Sequence, residues 1–380
     1  MGFDPIVLAV PGYFVLMGLE GALNARKKLG LYALGDTLAN LACGVYQQLL
    51  VTLLVLPLNA PYRLVYERLR ATDWFAAHPG WAWAFAFVGA DFFYYWFHRW
   101  SHENAVGWFS HVVHHQSERY NLSVALRQDA WQPLFSLWFF LPLALVGVPP
   151  AIFLSAYGVV IVYQFWIHTR LIDRLGVFEQ VFNTPSHHRV HHGVDPQYLD
   201  KNYAGVFIVW DRWFGTFEPE GVAPTYGTIE ALTSFNPAWA HWEYGAKLVD
   251  KIRAARSPLE ALSVLWRGPG WMPGGAPSLN TQDDFRARQA QALYNVESPR
   301  RARIEALAVF ALAMVATLAV LARKDHGADL RNLTLSLVAG WNLANASGLV
   351  EAKAWARAST RAGLGAMLLT LLVWAVGLGR

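Results

Sequence analysis

The chain is short of charge and almost without cysteine. Asp, Glu, Lys and Arg make up 15% of its 380 residues, where a soluble domain carries about 25%. With 54% hydrophobic content, the whole chain is too apolar for an ordinary soluble fold. The single cysteine, Cys43, forbids an internal disulfide framework and any cluster held by several thiolates. No basic stripe with interleaved aromatics occurs in a polar segment, so the net charge of +4 does not point to nucleic acid. The flank Met1-Gly2-Phe3-Asp4 carries no positive charge, so the apolar stretch behind it reads as a retained helix and not as a cleaved leader.

Apolar runs are plentiful instead. A bilayer is crossed by about 20 mostly apolar residues, and spans are expected near 6–24, 31–57, 80–97, 131–148, 150–168, 306–322, 332–350 and 362–379. The second is longer than a simple span and either tilts or holds a re-entrant portion. Asn342, Asn345 and Ser347 dilute the seventh. The expected fold is all-α: a polytopic helical membrane protein. Four regions follow: membrane spans over 1–79, a core over 80–218, an interfacial segment over 219–305 and a helical bundle over 306–380. Within the third, residues 241–266 read as one amphipathic helix. Trp242, Leu248, Ile252, Leu259 and Leu262 would be its lipid contacts, and Lys247, Lys251 and Arg253 would meet headgroups.

Histidine is concentrated in the core. Ten of the thirteen lie between His98 and His192. His98 and His102 stand at i and i+4; His111, His114 and His115, like His188, His191 and His192, stand at i, i+3 and i+4. On a helix these offsets share a face. Eight neutral nitrogen donors exceed what one tetrahedral zinc takes and suit two metal ions with open positions, so the pattern reads as a dinuclear metalloenzyme. Imidazole alone does not choose the metal; a pair of ions that splits O₂ must be redox-active. Thr184, Pro185 and Gly193 mark the last box as a short helix with N-cap, first position and left-handed C′ residue. His187 points about 100° away from its neighbour and stays outside. His168 is either a ninth ligand or an interfacial histidine bonded to a carbonyl. Glu103 either orients a ligand or is a solvated loop carboxylate.

Arg26-Lys27-Lys28 behind the first span favours a cytoplasmic loop there. Counting spans from that loop places all the boxes at the cytoplasmic face, with 131–168 a helical hairpin that returns at His168. Arg63, Arg68 and Arg70, in the supposed outer loop, favour the reverse orientation.

Asp91 lies inside an apolar span, where a charge costs about 2.5–3.5 kcal/mol. It is expected to accept a hydrogen bond from the non-ligating N–H of a ligand histidine; the alternative is a polar contact with Tyr94, Tyr95 or a group on the second span.

Further stretches sharpen the pattern: Phe97 to Glu103, Asn121 to Gln128, Tyr163 to Thr169, Asn183 to Gly193, Asp200 to Gly205, Trp210 to Phe217 and Gly268 to Trp271. In this order they resemble the fatty acid hydroxylase (sterol desaturase) superfamily of membrane di-iron oxygenases, and within it the branch that cleaves glyceryl ethers with tetrahydrobiopterin. The resemblance covers roughly residues 80–275. It implies that His98, His102, His111, His114, His115, His188, His191 and His192 hold two Fe ions and that Glu103 is essential. It also implies a membrane lipid substrate, O₂, and a reduced pterin or other electron donor. The reaction it implies is hydroxylation beside the ether oxygen, followed by collapse to a fatty aldehyde and glycerol. Arg127 and Gln128, just before the span at Trp131, are candidates for contact with the pterin or a lipid headgroup; the alternative for Arg127 is snorkelling to the interface. A hydroxylase or desaturase of another lipid or sterol would use the same site. A metal transporter or sensor suits the pattern less, because transport ligands lie near mid-membrane. No feature of the sequence specifies an oligomer.

Overall fold

The computed structural model describes residues 5–375, apart from the side chains of 7, 55–57 and 375. Helices dominate, and among the described residues the extended pairing is limited to one bridge, Phe182 with Phe207. Among the described residues, three helices are long and apolar enough to cross a membrane: Leu8–Lys27, Arg300–Leu321 and Leu330–Val350. The expected span at 31–57 is a helix from Leu34–Leu53 that bends by 50° into Leu58–Leu69; taken as one broken span, the pair makes a fourth. The chain is built as an integral membrane protein. The flank Met1 to Asp4 and residues 376–379 of the last expected span lie outside the described residues.

The hairpin at 131–168 is shorter than two full crossings. Its arms are Gln132–Val146 and Pro150–Phe165, about 24 Å each at helical rise, against a hydrocarbon core of about 30 Å. Pro133 and Pro142 interrupt the first arm, part of which winds as a 3-10 turn over Leu137–Phe140. The bend between the arms rests on Gly147 at φ +108, where a Cβ would lie 2.2 Å from the Thr72 carbonyl oxygen. The second arm packs on the Pro79–Glu103 helix, with Ala82, Ala86, Ala90, Phe140, Phe153 and Val160 buried in one core. That 25-residue helix carries Asp91, His98 and His102. Its Trp, Tyr, Gly and Asp91 keep it less apolar than the three helices above.

The expected amphipathic helix at 241–266 is two helices, Pro237–Ala254 and Pro258–Trp266. Pro258 is the reason: the residue before a proline is driven out of the helical region, and Ser257 sits at φ −151, ψ 159. Trp242, Ile252, Leu259 and Leu262 are exposed, but Leu248 is buried. The headgroup assignment is overturned for two lysines. Lys247 pairs with Glu230 and Glu243, and buried Lys251 donates to the Pro269 and Trp271 carbonyls of the Gly-Pro-Gly-Trp loop.

At the C-terminal end, Arg300–Leu321, Leu330–Val350 and Ala356–Ala375 pack together and share a core with Leu38, Val45 and Leu49 of the Leu34–Leu53 helix. The amides that dilute the seventh span are wholly buried and face the last helix. Asn342 Nδ2 donates to the Gly363 carbonyl at 3.1 Å and Asn345 Nδ2 to that of Ser359 at 3.2 Å. Interhelical hydrogen bonds of this kind join membrane helices that have no hydrophobic drive to associate.

Candidate metal centre

The Pro79–Glu103 helix begins with Pro79, whose missing N–H costs nothing there, and ends at Asn104. The Asn104 side chain accepts from the N–H groups of Val106 and Gly107 and so starts the next short helix. This turn carries the chain from His102 to the second box. The third box is a helix from Pro185–His191 after Thr184, as expected, but Thr184 donates to Glu179 and does not cap. Gly193 is not left-handed. It is needed for close packing, since a Cβ there would stand 2.9 Å from Tyr198 and 3.0 Å from the Val190 carbonyl oxygen.

Nine histidines converge in two buried groups. His98, His102, His111, His115 and His191 form one; His114, His168, His188 and His192 form the other; within each, the ligand atoms lie within 4.8 Å of one another. The boxes do not each serve one metal. Members spaced i, i+4 stay together (His98 with His102, His111 with His115, His188 with His192), while the i+3 members, His114 and His191, cross to the opposite group. On a helix i+3 and i+4 fall on opposite sides of residue i, so one triplet reaches two adjacent sites. His168, at the end of the short hairpin, joins the second group. His187 lies outside both, against Phe217.

Facing nitrogens lie 2.9 Å apart in His98–His111, 3.2 Å in His111–His115, 3.2 Å in His114–His168 and 3.0 Å in His168–His188. In His98–His111 and His114–His168 the contact is not a hydrogen bond. The Nδ1 atoms of His98, His114, His168 and His191 donate to the carbonyls of Tyr203, Arg127, Gln164 and Lys201 at 2.7–3.0 Å. A carbonyl only accepts, so the ring proton is on Nδ1 and Nε2 is a bare lone pair. His111 Nδ1 faces Gln132 Oε1 at 3.1 Å in the same manner. The buried Nε2 atoms of His102 and His191 have no partner at all. Lone pairs packed tip to tip without a proton between them repel, and a cation in each group removes the repulsion. The donor set therefore fits two metal ions. Burial also pushes the imidazoles of the two loop boxes below their usual range, His114 to about 4 and His191 to about 3, which keeps them neutral as metal ligands require.

Asp91 does not bond a histidine, nor Tyr94, Tyr95 or the second span. Its carboxylate accepts from the N–H groups of Val206 at 2.6 Å and Phe207 at 2.9 Å, and from Trp210 Nε1 at 2.9 Å. The loop comes this close because residue 205 is glycine; a Cβ there would be 2.7 Å from Asp91 Oδ1. Asp211 completes the hold, accepting from the N–H groups of Tyr203 and Ala204 at 2.8 Å each. The two carboxylates thus fix the strand of loop whose Tyr203 carbonyl orients His98. Asp211 and Gln132 were not singled out from the sequence; an acid inside the Trp-rich run Trp210 to Trp213 was the available signal.

Arg127 neither snorkels nor lines a mouth. Its buried guanidinium donates to the Val113 carbonyl, Gln116 Oε1 and Asn40 Oδ1 at 2.6, 2.8 and 3.2 Å, gripping the second box from behind. Gln128 Nε2 donates to the Ala125 carbonyl. Glu103 stands at the rim, 43% exposed, in an ion pair with Arg99 at 2.9 Å. It belongs to neither ligand group.

Residues 83–216 match the family model described as fatty acid hydroxylase. The chain is similar to alkylglycerol monooxygenase of Danio rerio, 40% identical over 269 residues, which is 70% of this chain and 59% of the relative. For the Homo sapiens enzyme of that name the figures are 38% over 283 residues, 74% and 63%. It is also 31% identical to the ornithine lipid hydroxylase OlsE of Rhizobium tropici over 131 residues, 34% of this chain and 40% of that one. The chain thus spans about 60% of the length of these two alkylglycerol monooxygenases. No solved structure matches. All nine clustered histidines fall inside the stretch that matches the fatty acid hydroxylase family model.

Proposed function

We propose that the chain is a di-iron lipid monooxygenase that cleaves the ether bond of alkylglycerols. The observation that carries this reading is the division of nine buried histidines into groups of five and four inside a fatty acid hydroxylase domain, in a chain similar to alkylglycerol monooxygenases over 70% or more of its length. His98, His102, His111, His115 and His191 would hold one iron, and His114, His168, His188 and His192 the other. When bound, the two irons supply the redox chemistry that activates O₂. Tetrahydrobiopterin is the electron donor in this reading.

The protein's own part is positioning. The carbonyls of Tyr203, Arg127, Gln164 and Lys201 fix four rings with Nε2 inward, and burial excludes bulk water from the reacting atoms. The lipid's ether-bearing carbon is hydroxylated, and the resulting hemiacetal breaks to a fatty aldehyde and glycerol. Glu103, next to His102 at the rim, is the proposed essential carboxylate, orienting that end of the site with Arg99. The boxes face the cytoplasm in this reading, supported by Arg26-Lys27-Lys28 behind the first membrane helix.

The test is to supply iron-loaded protein in lipid nanodiscs with a hexadecyl glyceryl ether, tetrahydrobiopterin and isotopically labelled O₂. Hexadecanal carrying one labelled oxygen is expected. The similarity to an ornithine lipid hydroxylase favours a second reading, hydroxylation of another membrane lipid. A labelled hydroxy-lipid from a bacterial lipid extract, with no aldehyde from the ether, would establish that reading instead.

A further inference from the structure

A cavity of about 490 Å³ opens beside the second histidine group, and no step above uses it. Its walls include Arg170, Asp173, Arg174, Arg189, Glu220 and Tyr226, all in the polar region after the hairpin. Arg189 stands one residue after His188, so the cavity backs directly onto the third box. Not all of these charges are open to a ligand. Arg189 is consumed by Glu220, which it meets with two parallel bonds at 2.7 and 2.6 Å, and by the Thr169 and Ile172 carbonyls. Arg174 is held by the Glu220 carbonyl. Arg170 and Asp173 are left. Arg170 is exposed on the cavity wall, close enough to influence Tyr226 electrostatically. Asp173 accepts one bond, from the Arg174 N–H at 3.0 Å.

The aromatic wall leads inward. Tyr226 stacks on Tyr120 with ring centroids 4.8 Å apart and planes at 15°. Tyr120 in turn stacks on His168 at 5.9 Å and meets His192 edge-on at 5.2 Å. Two rings in contact therefore join the cavity to two members of the four-histidine group, and Tyr120 is 2% exposed, so no water separates them.

We propose that this cavity, and not the neighbourhood of Arg127 and Gln128, is where the reductant binds: a small planar heteroaromatic that carries adjacent N–H donors and a ring carbonyl, as a tetrahydropterin does. The proposal rests on the reading of the chain as a pterin-using monooxygenase. A free carboxylate accepts two parallel N–H groups, and a free guanidinium donates to a carbonyl; Asp173 and Arg170 offer that complement on one wall. The volume lies within the usual 300–1,000 Å³ or so of small-molecule sites. The position also separates the reactants, since a polar reductant enters from water while the lipid arrives from the bilayer. The balance closes: substrate C–H, O₂ and the tetrahydropterin give C–OH, water and the dihydropterin, the pterin supplying two electrons and two protons.

Binding is measured anaerobically by titration calorimetry on full-length, metal-loaded protein in nanodiscs, with tetrahydrobiopterin and with redox-stable dihydrobiopterin. Asp173→Asn and Arg170→Gln are each expected to weaken both pterins at least tenfold, with iron content and Tm unchanged. Wild-type binding with both variants within twofold of it overturns the location and leaves the pterin reading intact. Absence of binding by wild type that still turns over with another reductant overturns both. A third arm adds inorganic phosphate and phosphatidylglycerol-containing nanodiscs. Variants that lose affinity for these while keeping pterin affinity make the cavity a headgroup site and overturn the proposal.

Discussion

Replacing Arg127 by lysine keeps one positive charge but loses the planar fork that holds the Val113 carbonyl, Gln116 and Asn40 together. Two charged hydrogen bonds at about 1.5 kcal/mol each put the expected loss near 3 kcal/mol. Because the Arg127 carbonyl also orients His114, iron occupancy should fall along with Tm, while the affinity of the remaining folded protein for pterin stays the same. A variant with normal iron and Tm but weaker pterin binding would return Arg127 to the role its sequence position suggested. Asp91 is a parallel case. In Asp91→Asn one accepting oxygen becomes an amide donor that confronts the N–H groups of the 206–207 loop or of Trp210. The displacement passes to the Tyr203 carbonyl and so to His98. Metal affinity, read by chelator competition, should drop about tenfold, the lower end of what indirect ligand support contributes. Unchanged affinity would mean that Asp211 alone holds the loop.

Elements set where those residues can reach. Gly205→Ala tests the loop without touching a charge: its Cβ would stand 2.7 Å from Asp91 Oδ1 and 3.1 Å from the Tyr94 ring. We expect a loss of stability and of metal affinity in the same direction as Asp91→Asn, and little added effect when the two are combined; full additivity would show that the two sites act independently. The Pro237–Ala254 helix supplies a pH test. His241 is buried there, its Nδ1–H donates to the Pro237 carbonyl at 2.7 Å, and its Nε2 has no partner. Burial pushes it down to about 4. An unfolded imidazole titrates near 6.5, so the unfolded chain takes up a proton between those values that the folded chain does not. Its contribution is complete above about pH 6.5 and is lost as pH falls toward 4, at up to about 1.4 kcal/mol per unit. The Tm of His241→Gln should therefore fall less than that of wild type between pH 7 and 5. Equal slopes would show that the ring titrates alike in the folded and the unfolded chain.

What the sequence made legible at this scale was periodicity and ligand type. The i, i+3, i+4 boxes announced helices with convergent imidazoles, and the apolar runs announced membrane helices. Hidden from it was anything decided across elements. The splitting of each triplet between two groups depends on which neighbouring helix faces it. Asp91's partners are backbone N–H groups 115 and 116 residues away, and backbone donors leave no mark in a sequence pattern. Arg127 looked interfacial because an apolar span follows it, yet its guanidinium is buried among groups as far off in the sequence as Asn40.

At the scale of the whole molecule, the Leu34–Leu53 helix ties the metal core to the C-terminal bundle. Leu38, Val45 and Leu49 pack with Arg300–Leu321 and Leu330–Val350. At its N-terminal end, Asn40 reaches Arg127 and Ser123, and Asp36 accepts from Ser117 at 2.8 Å. Removing the metals with a chelator should therefore loosen the protein unevenly. Without cations, the facing nitrogens of His98–His111 at 2.9 Å and of His114–His168 at 3.2 Å repel, and the segments that carry them must part to admit water. Among the described residues the bundle holds no such group of facing histidines; apolar burial and the amide bonds of Asn342 and Asn345 join its helices. In hydrogen exchange on nanodisc-embedded protein, residues 105–128 and 183–216 are expected to lose protection on chelation, and residues 306–350 to keep theirs. Leu34–Leu53 should show a gradient, with the turn at Asp36 to Asn40 exchanging faster and the turn at Val45 to Leu49 unchanged. Protection that falls uniformly along the chain would mean that the metals stabilise one cooperative fold. Protection that does not change at all would mean that the histidine groups hold their shape without metal, and the repulsion argument for the two sites would fail with it.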